Sequence, residues 1–330
     1  MMFHDSPLRL MDPGKPIVWI GAVSFEARCV GAVRQLIDKG YRIDRAVAFD
    51  YPTTLLPRAD GELNREFNRR ELRGLIGDAL ELRVIHPYRY AEFVGELFRI
   101  WNEVSSEGES PTLVVDITCL TKIHTIALAY WFYSTQGRVV LAYSQPDLYG
   151  NPSRNTWGHG KWTSTLLVRL SLDSTEPYSS TSAIAILGHE GDRLRLALNE
   201  AEANEGLVVK IIPQDPASRL LQVSNIQNAW LFVEIENGIR QNFSLLSVNS
   251  RALDALEESV SSLARVAKEK NSRVVLCPFG PKPVAFNVAH MCLTIYPENT
   301  WLSYPIPQSY DPEYSSGYKY TLWIDPAEQS

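Results

Sequence analysis

The sequence predicts an α/β fold made of two tandem Rossmann-like parallel-sheet domains related by pseudo-two-fold symmetry. Three observations predict it. Apolar runs such as Ile17–Ile20, Leu113–Val115 and Val274–Leu276 are continuously hydrophobic, as strands covered on both faces are. Segments of helical spacing follow these runs in regular alternation. The stretch VVDITCLTK at residues 114–122 also returns as VVLCPFGPK at 274–282, 160 positions later.

Each element recurs in order. PIVWIGAVSFEARC opens the first half with an apolar run to Gly21, a polar loop and a helical pattern to Lys39. SAIAILGHEGDRLRLAL opens the second, its run ending at Gly188, 167 positions on. RAVAFDYP and LVVKIIPQDP follow, each a strand, an acid and a proline, with helices over Glu62–Asp78 and Ser224–Gly238. LELRVIHPY then leads into a helix with Phe93, Leu97, Ile100 and Trp101, and NFSLLSVNS into one with Leu253, Leu256, Val260 and Leu263; spacings of three and four put each set on one face. The opening pair comes next, trailed by HTIALAYWFYS and FNVAHMCLTIY, and RVVLAYSQP matches NTWLSYPIP. The reading gives a first half over residues 1–150, a connector over 151–182 with a strand at TSTLLVRLSL, and a second half over 183–330. The second half ends in a Tyr/Pro-rich tail holding Tyr304, Tyr310, Tyr314, Tyr318 and Tyr320, expected to lie across the protein or dock on a partner.

Composition narrows the function. The 330 residues are 45% hydrophobic and 21% charged, as in globular domains. A net charge of −6 without a run of five like charges argues against extensive nucleic-acid binding, while leaving room for a local basic pocket. No apolar run approaches the roughly 18 residues of a membrane span, and no secretory pattern opens the chain, so a cytoplasmic protein is expected. The four cysteines are widely spaced and read as reduced thiols, with no metal site expected. G-x-G-x-x-G, G-x-x-x-x-G-K-[ST], G-x-S-x-G and H-E-x-x-H are all missing, and no cofactor is expected.

In an open parallel sheet, ligands bind beyond the carboxyl ends of the strands, where helix N-termini offer N–H groups and positive potential. The candidate ligand residues therefore lie just after the strands. Ser24, Glu26 and Arg28 follow the first; Ser24 and Glu26 equally suit a helix cap and its first turn. His189 and Glu190 fill the matching loop of the second half, with little but glycine beside them. Asp50 suits a ribose hydroxyl or the turn at Pro52. Thr118, Thr121 and Lys122 bring two hydroxyls and a cation to a helix start, a setting for phosphate, and Lys282 repeats the cation. Read as an enzyme, the chain would use Glu26, Asp50 or Asp116 as carboxylate catalysts. His86 and His124 suit a general base or a structural role, and Tyr51, Tyr88, Tyr143, Trp157, Trp162 and Tyr304 suit base stacking or core lids.

The pattern Asp116-x-Thr118-x-x-Thr121-Lys122 between strand and helix resembles the nucleotide-sensing motif of CARF domains, Rossmann-like modules that bind cyclic oligonucleotide messengers. SAVED domains, which resemble two CARF units in one chain, match the inferred duplication. The resemblance implies a sensor in bacterial antiviral defence acting through a separately encoded effector. Three functions follow: binding of a nucleotide-type anion in a cleft between the halves, hydrolysis of a nucleotide or nucleoside there, or a structural subunit that holds a partner.

Overall fold

The computed structural model describes residues 2–12, 14–52, 59–105, 111–135, 138–149, 162–171, 177–213, 219–249, 253–307 and 315–327. Trp157, Tyr310, Tyr314 and the side chain of Trp162 lie outside the described residues. The chain divides into two compact units, Met1–Thr125 with Thr135–Arg154 and Ser309–Ser330, and Ile126–Ser134 with Asn155–Gln308.

In chain order the elements of the first half are β1 (Met2–His4), β2 (Ile17–Val23), α1 (Gly31–Asp38), β3 (Ile43–Asp50), α2 (Ala59–Ile76), β4 (Leu80–Val84), α3 (Tyr90–Ser105), β5 (Thr112–Asp116), α4 (Lys122–Thr135), β6 (Val139–Gln145) and β7 (Leu148–Tyr149). The second half holds β8 (Trp162–Arg169), β9 (Ser180–Ile186), α5 (Gly191–Glu200), β10 (Glu205–Ile212), α6 (Arg219–Gln227), α7 (Ala229–Glu236), β11 (Phe243–Asn249), α8 (Asp254–Glu269), β12 (Ser272–Pro278), α9 (Lys282–Ile295) and β13 (Thr300–Pro307). β14 (Ser315–Ser316) and β15 (Tyr320–Asp325) close the chain.

The first sheet runs β1-β15-β6-β5-β2-β3-β4, and the second β11-β10-β9-β12-β13-β8. Numbering the five parallel strands of each half in sequence order, both cores read 3-2-1-4-5, the doubly wound order. The mixed α/β fold with two mostly parallel sheets is thus the one the sequence predicts. Central strands β2, β5 and β12 are buried at every position, as covered parallel strands must be, whereas edge strands β4 and β11 include exposed residues, Glu81 and Val84 on β4 and Ser244, Leu245, Ser247 and Asn249 on β11. On α3, Phe93, Leu97, Ile100 and Val104 form one buried stripe, and burial of each of the larger side chains contributes about 1.5–3 kcal/mol.

Each core carries an antiparallel strand beside its fifth parallel strand, and the two are exchanged. β8, which follows β6 in the chain, pairs with β13; β15, which follows β13, pairs with β6. Strand β15, read from the sequence as part of the end of the second half, therefore joins the first sheet, while β14 pairs with β7 in a separate two-stranded sheet. The apolar run Leu322–Ile324 of β15 is the reason: Trp323 is fully buried in the core of Trp19, Val33 and Leu36, and its indole N–H donates to Gln35 at 2.7 Å. The described part of the tail accordingly lies across its own protein. Among the described residues, no helix is long and apolar enough to cross a membrane.

Candidate functional site

Strand order reverses between β2 and β5 in the first unit and between β9 and β12 in the second, so the loops after these strands flank each crevice.

After β2, the Ser24 hydroxyl accepts the N–H of Glu26 at 3.2 Å, and the Ser24 carbonyl accepts from the Asn68 amide of α2 at 2.9 Å. Glu26 and Arg28 face each other: Arg28 Nε and Nη2 donate to Glu26 Oε2 at 2.8 and 2.7 Å. Arg28 also donates to the Ser144 carbonyl at the end of β6 (3.2 Å), with its guanidinium carbon 6.0 Å from the Tyr143 ring centroid, and Ser315 donates to Glu26. Both side chains hold the rim together.

Asp50 ends β3 between two arginines of α2. Arg65 Nε donates to its Oδ1 at 3.0 Å and Arg69 Nη2 to its Oδ2 at 2.7 Å. Arg65 and Arg69 also reach Glu62 and Glu66 on their own helix. A carboxylate shared this way positions guanidinium groups. Residues Arg65, Asn68 and Arg69 went unread in the sequence, although their spacing along α2 puts them on one face, toward the strand ends.

In the loop after β5, Asp116 Oδ1 accepts the N–H of Thr118 (2.9 Å), a tight turn that aims the chain back over the sheet. Thr118 Oγ1 accepts from the Ser144 N–H (2.8 Å). Thr121 caps α4: its hydroxyl accepts from the His124 N–H (3.1 Å) and donates to the Pro87 carbonyl (2.8 Å). Lys122, half-buried, opens α4. His124 stacks on Phe93 with centroids 4.1 Å apart, and its Nδ1 lies 3.0 Å from the Tyr51 hydroxyl. Complete burial pushes the imidazole pKa down to about 3, so the ring is neutral at pH 7, and burial likewise raises the Tyr51 phenol. The Tyr51 hydroxyl also accepts the Thr121 N–H at 3.4 Å, which ties the ring pair to the start of α4.

The second unit repeats these devices. Arg193 pairs with Glu190, donates to the Pro305 carbonyl through Nε and Nη2 (3.2 and 2.6 Å), and lies 4.7 Å from the Tyr304 ring centroid. Asn228 donates to the Gly188 carbonyl at 2.9 Å, where Ser224 adds a second bond at the same distance. The sets Glu26–Arg28–Ser144–Tyr143 and Glu190–Arg193–Pro305–Tyr304 therefore correspond, as do Asn68–Ser24 and Asn228–Gly188. Lys282 opens α9 as Lys122 opens α4, with Pro281 where the first unit has its Thr121 cap. The glycines around His189 serve the fold: a Cβ on Gly188 would lie 1.9 Å from the Phe279 carbonyl oxygen, and one on Gly191 1.9 Å from that of Gln227. They admit protein backbone where the sequence suggested room for a ligand. His189 and Glu190 are half-buried.

The three carboxylates of the catalytic reading are all held. Glu26 is 9% exposed, Asp50 8% and Asp116 2%, each engaged by the donors named above. His86 accepts the Tyr88 N–H at Nδ1 (3.2 Å) and is not joined to them. Of the four cysteines, Cys29, Cys277 and Cys292 are buried and Cys119 half-buried, each with its sulfur outside any disulfide.

No protein-family model matches the chain. No curated protein matches it either. Among solved structures, the chain is weakly similar to Can2 from Sulfobacillus thermosulfidooxidans in complex with cyclic tetra-adenylate (cA4). The identity is 15% and the TM-score 0.29, over 38% of this chain and 30% of that chain, so the match spans under a third of Can2.

Proposed function

We propose that the protein senses a nucleotide-type anion at the carboxyl rim of its parallel strands and leaves it chemically intact. One observation carries the reading: at both topological switch points the helix after the fourth parallel strand begins with a lysine, Lys122 on α4 and Lys282 on α9. An ammonium beside the N-terminal N–H groups of a helix favours phosphate. Asp50, with Arg65 and Arg69, orients guanidinium groups on the same side of the first sheet as the Lys122 loop. The engagement of Glu26, Asp50 and Asp116 favours binding over hydrolysis. Cyclic oligonucleotides are the ligand class that the Asp-x-Thr-x-x-Thr-Lys motif implies, and a separately encoded effector would receive the signal.

The test is a thermal-shift and calorimetric titration with ATP and with 3′,5′-cyclic oligoadenylates, followed by mass spectrometry of the recovered ligand. A melting shift with intact ligand, lost in Lys122→Ala, is the expected result; one charged hydrogen bond of about 1.5–3 kcal/mol corresponds to roughly a 10- to 150-fold change in Kd. Degraded ligand would favour hydrolysis, and no shift with any nucleotide would end the reading.

A further inference from the structure

The two units carry opposite charges at one equivalent position. Asn68 clasps the Ser24 carbonyl as Asn228 clasps that of Gly188, which makes Ser24 and Gly188 counterparts, and their predecessors Val23 and Leu187 likewise. Val23 is in register with Asp50 on β3. On β10, Val209 pairs with Ile186 and its carbonyl accepts the Leu187 N–H at 2.9 Å, so the residue level with Leu187 is Lys210. Where the first unit has an acid bound by two arginines, the second has a lysine.

Lys210 is half-buried, its ammonium 5.7 Å from the Phe232 ring centroid, and it makes no ion pair among the described residues. The acids of the adjoining β9–α5 loop and of α7 are paired with arginines: Glu190 with Arg193, and Glu234 with Arg195 and Arg240. A cation over an aromatic ring gains about 0.5–1 kcal/mol at an exposed site, a small return for partial desolvation. β10 lies directly beside β9, and β9 directly beside β12, whose following helix opens with Lys282; His189 sits in the loop of the strand between.

We propose that Lys210 and Lys282 are the two cationic arms of an anion subsite on the second unit, flanking His189 and taking a phosphate or phosphodiester group of the ligand. The inference rests on the anion-sensing reading above and adds to it a subsite within the second unit, built from different side chains than the Lys122 loop of the first.

Lys210→Met keeps the apolar stem over Phe232 and removes the charge, while Lys210→Arg keeps the charge. Calorimetry of the full chain with inorganic tripolyphosphate and with ADP reads the effect, alongside ligand-free melting to confirm folding. Binding by the wild type, weakened at least tenfold in Lys210→Met and within threefold of wild type in Lys210→Arg, is expected. Unchanged affinity in Lys210→Met overturns the subsite; if Lys122→Met still loses binding in that case, the sensing function stands without it. A wild-type protein that binds neither probe overturns the subsite, and the sensing reading falls with it only if ATP and the cyclic oligoadenylates also give no melting shift.

Discussion

The side-chain amide of Asn68 donates to the backbone carbonyl of Ser24 across 2.9 Å, tying α2 to the loop after the first parallel strand. Asn228 does the same for Gly188, but there the Ser224 hydroxyl shares the carbonyl at 2.9 Å, where Ser24 has only the weak Cys29 thiol at 3.9 Å. An unsatisfied buried carbonyl costs about 1–3 kcal/mol. Asn68→Ala should therefore lose stability in that range by urea denaturation, and Asn228→Ala less. Equal losses would show that Ser224 contributes nothing.

Gly188→Ala should be among the most damaging small substitutions, because its Cβ would meet the rigid Phe279 backbone at 1.9 Å. Gly95, exposed inside α3, has nothing within 4 Å of an added Cβ. Gly95→Ala should stabilise by about 0.5–1 kcal/mol through helix propensity. Melting temperatures moving in opposite directions would confirm the contrast.

Asp50→Ala strands Arg65, which is 4% exposed, with only Glu62. Removing one partner of a buried ion pair costs about 3–5 kcal/mol, whereas replacing both with apolar residues is often neutral. Asp50→Ala should unfold at much lower denaturant than wild type, and Asp50→Leu with Arg65→Met should recover most of the loss. A single variant as stable as wild type would show that Asp50 does not anchor α2.

Acid should destabilise the fold through His124. Its native pKa is lowered to about 3 by burial, against an unfolded value near 6.5, so the unfolded chain takes up a proton that the native state refuses. This stability is complete above pH 6.5 and is lost as pH falls toward 3, by about 1.4 kcal/mol per unit. His124→Gln, which keeps a hydrogen-bonding group for Tyr51, should flatten the pH dependence of denaturation between pH 6 and 4 by one proton.

Much of this architecture was legible in the sequence. Continuous apolar runs located β2, β5, β9 and β12, since covered parallel strands must be hydrophobic at every position. Helical spacing located α3 and α8, although Leu263 proved half-buried and Ala264 took the core position. The exchange of β8 and β15 was not legible, because an antiparallel edge strand reads the same whichever sheet it joins. The arginines of α2 were hidden for a related reason. Arg65 and Arg69 have acids within one turn, and in sequence that pattern reads as a solvated helix face. Glu26 and Arg28 were read as candidate ligand contacts, but the fold turns them toward each other as an ion pair.

The crossed β8 and β15 strands have a practical consequence for dissection. Severing the polypeptide anywhere between Leu148 and Trp162 yields no self-sufficient fragment, since the front piece forfeits the ribbon that flanks β6 and the rear piece retains it without a host. Co-produced fragments should reassociate into a native-like complex, whereas either alone should be insoluble, and the intact chain should melt in one step. Truncating after Pro307 should damage the amino-terminal sheet, far away in sequence, more than the sheet it immediately follows.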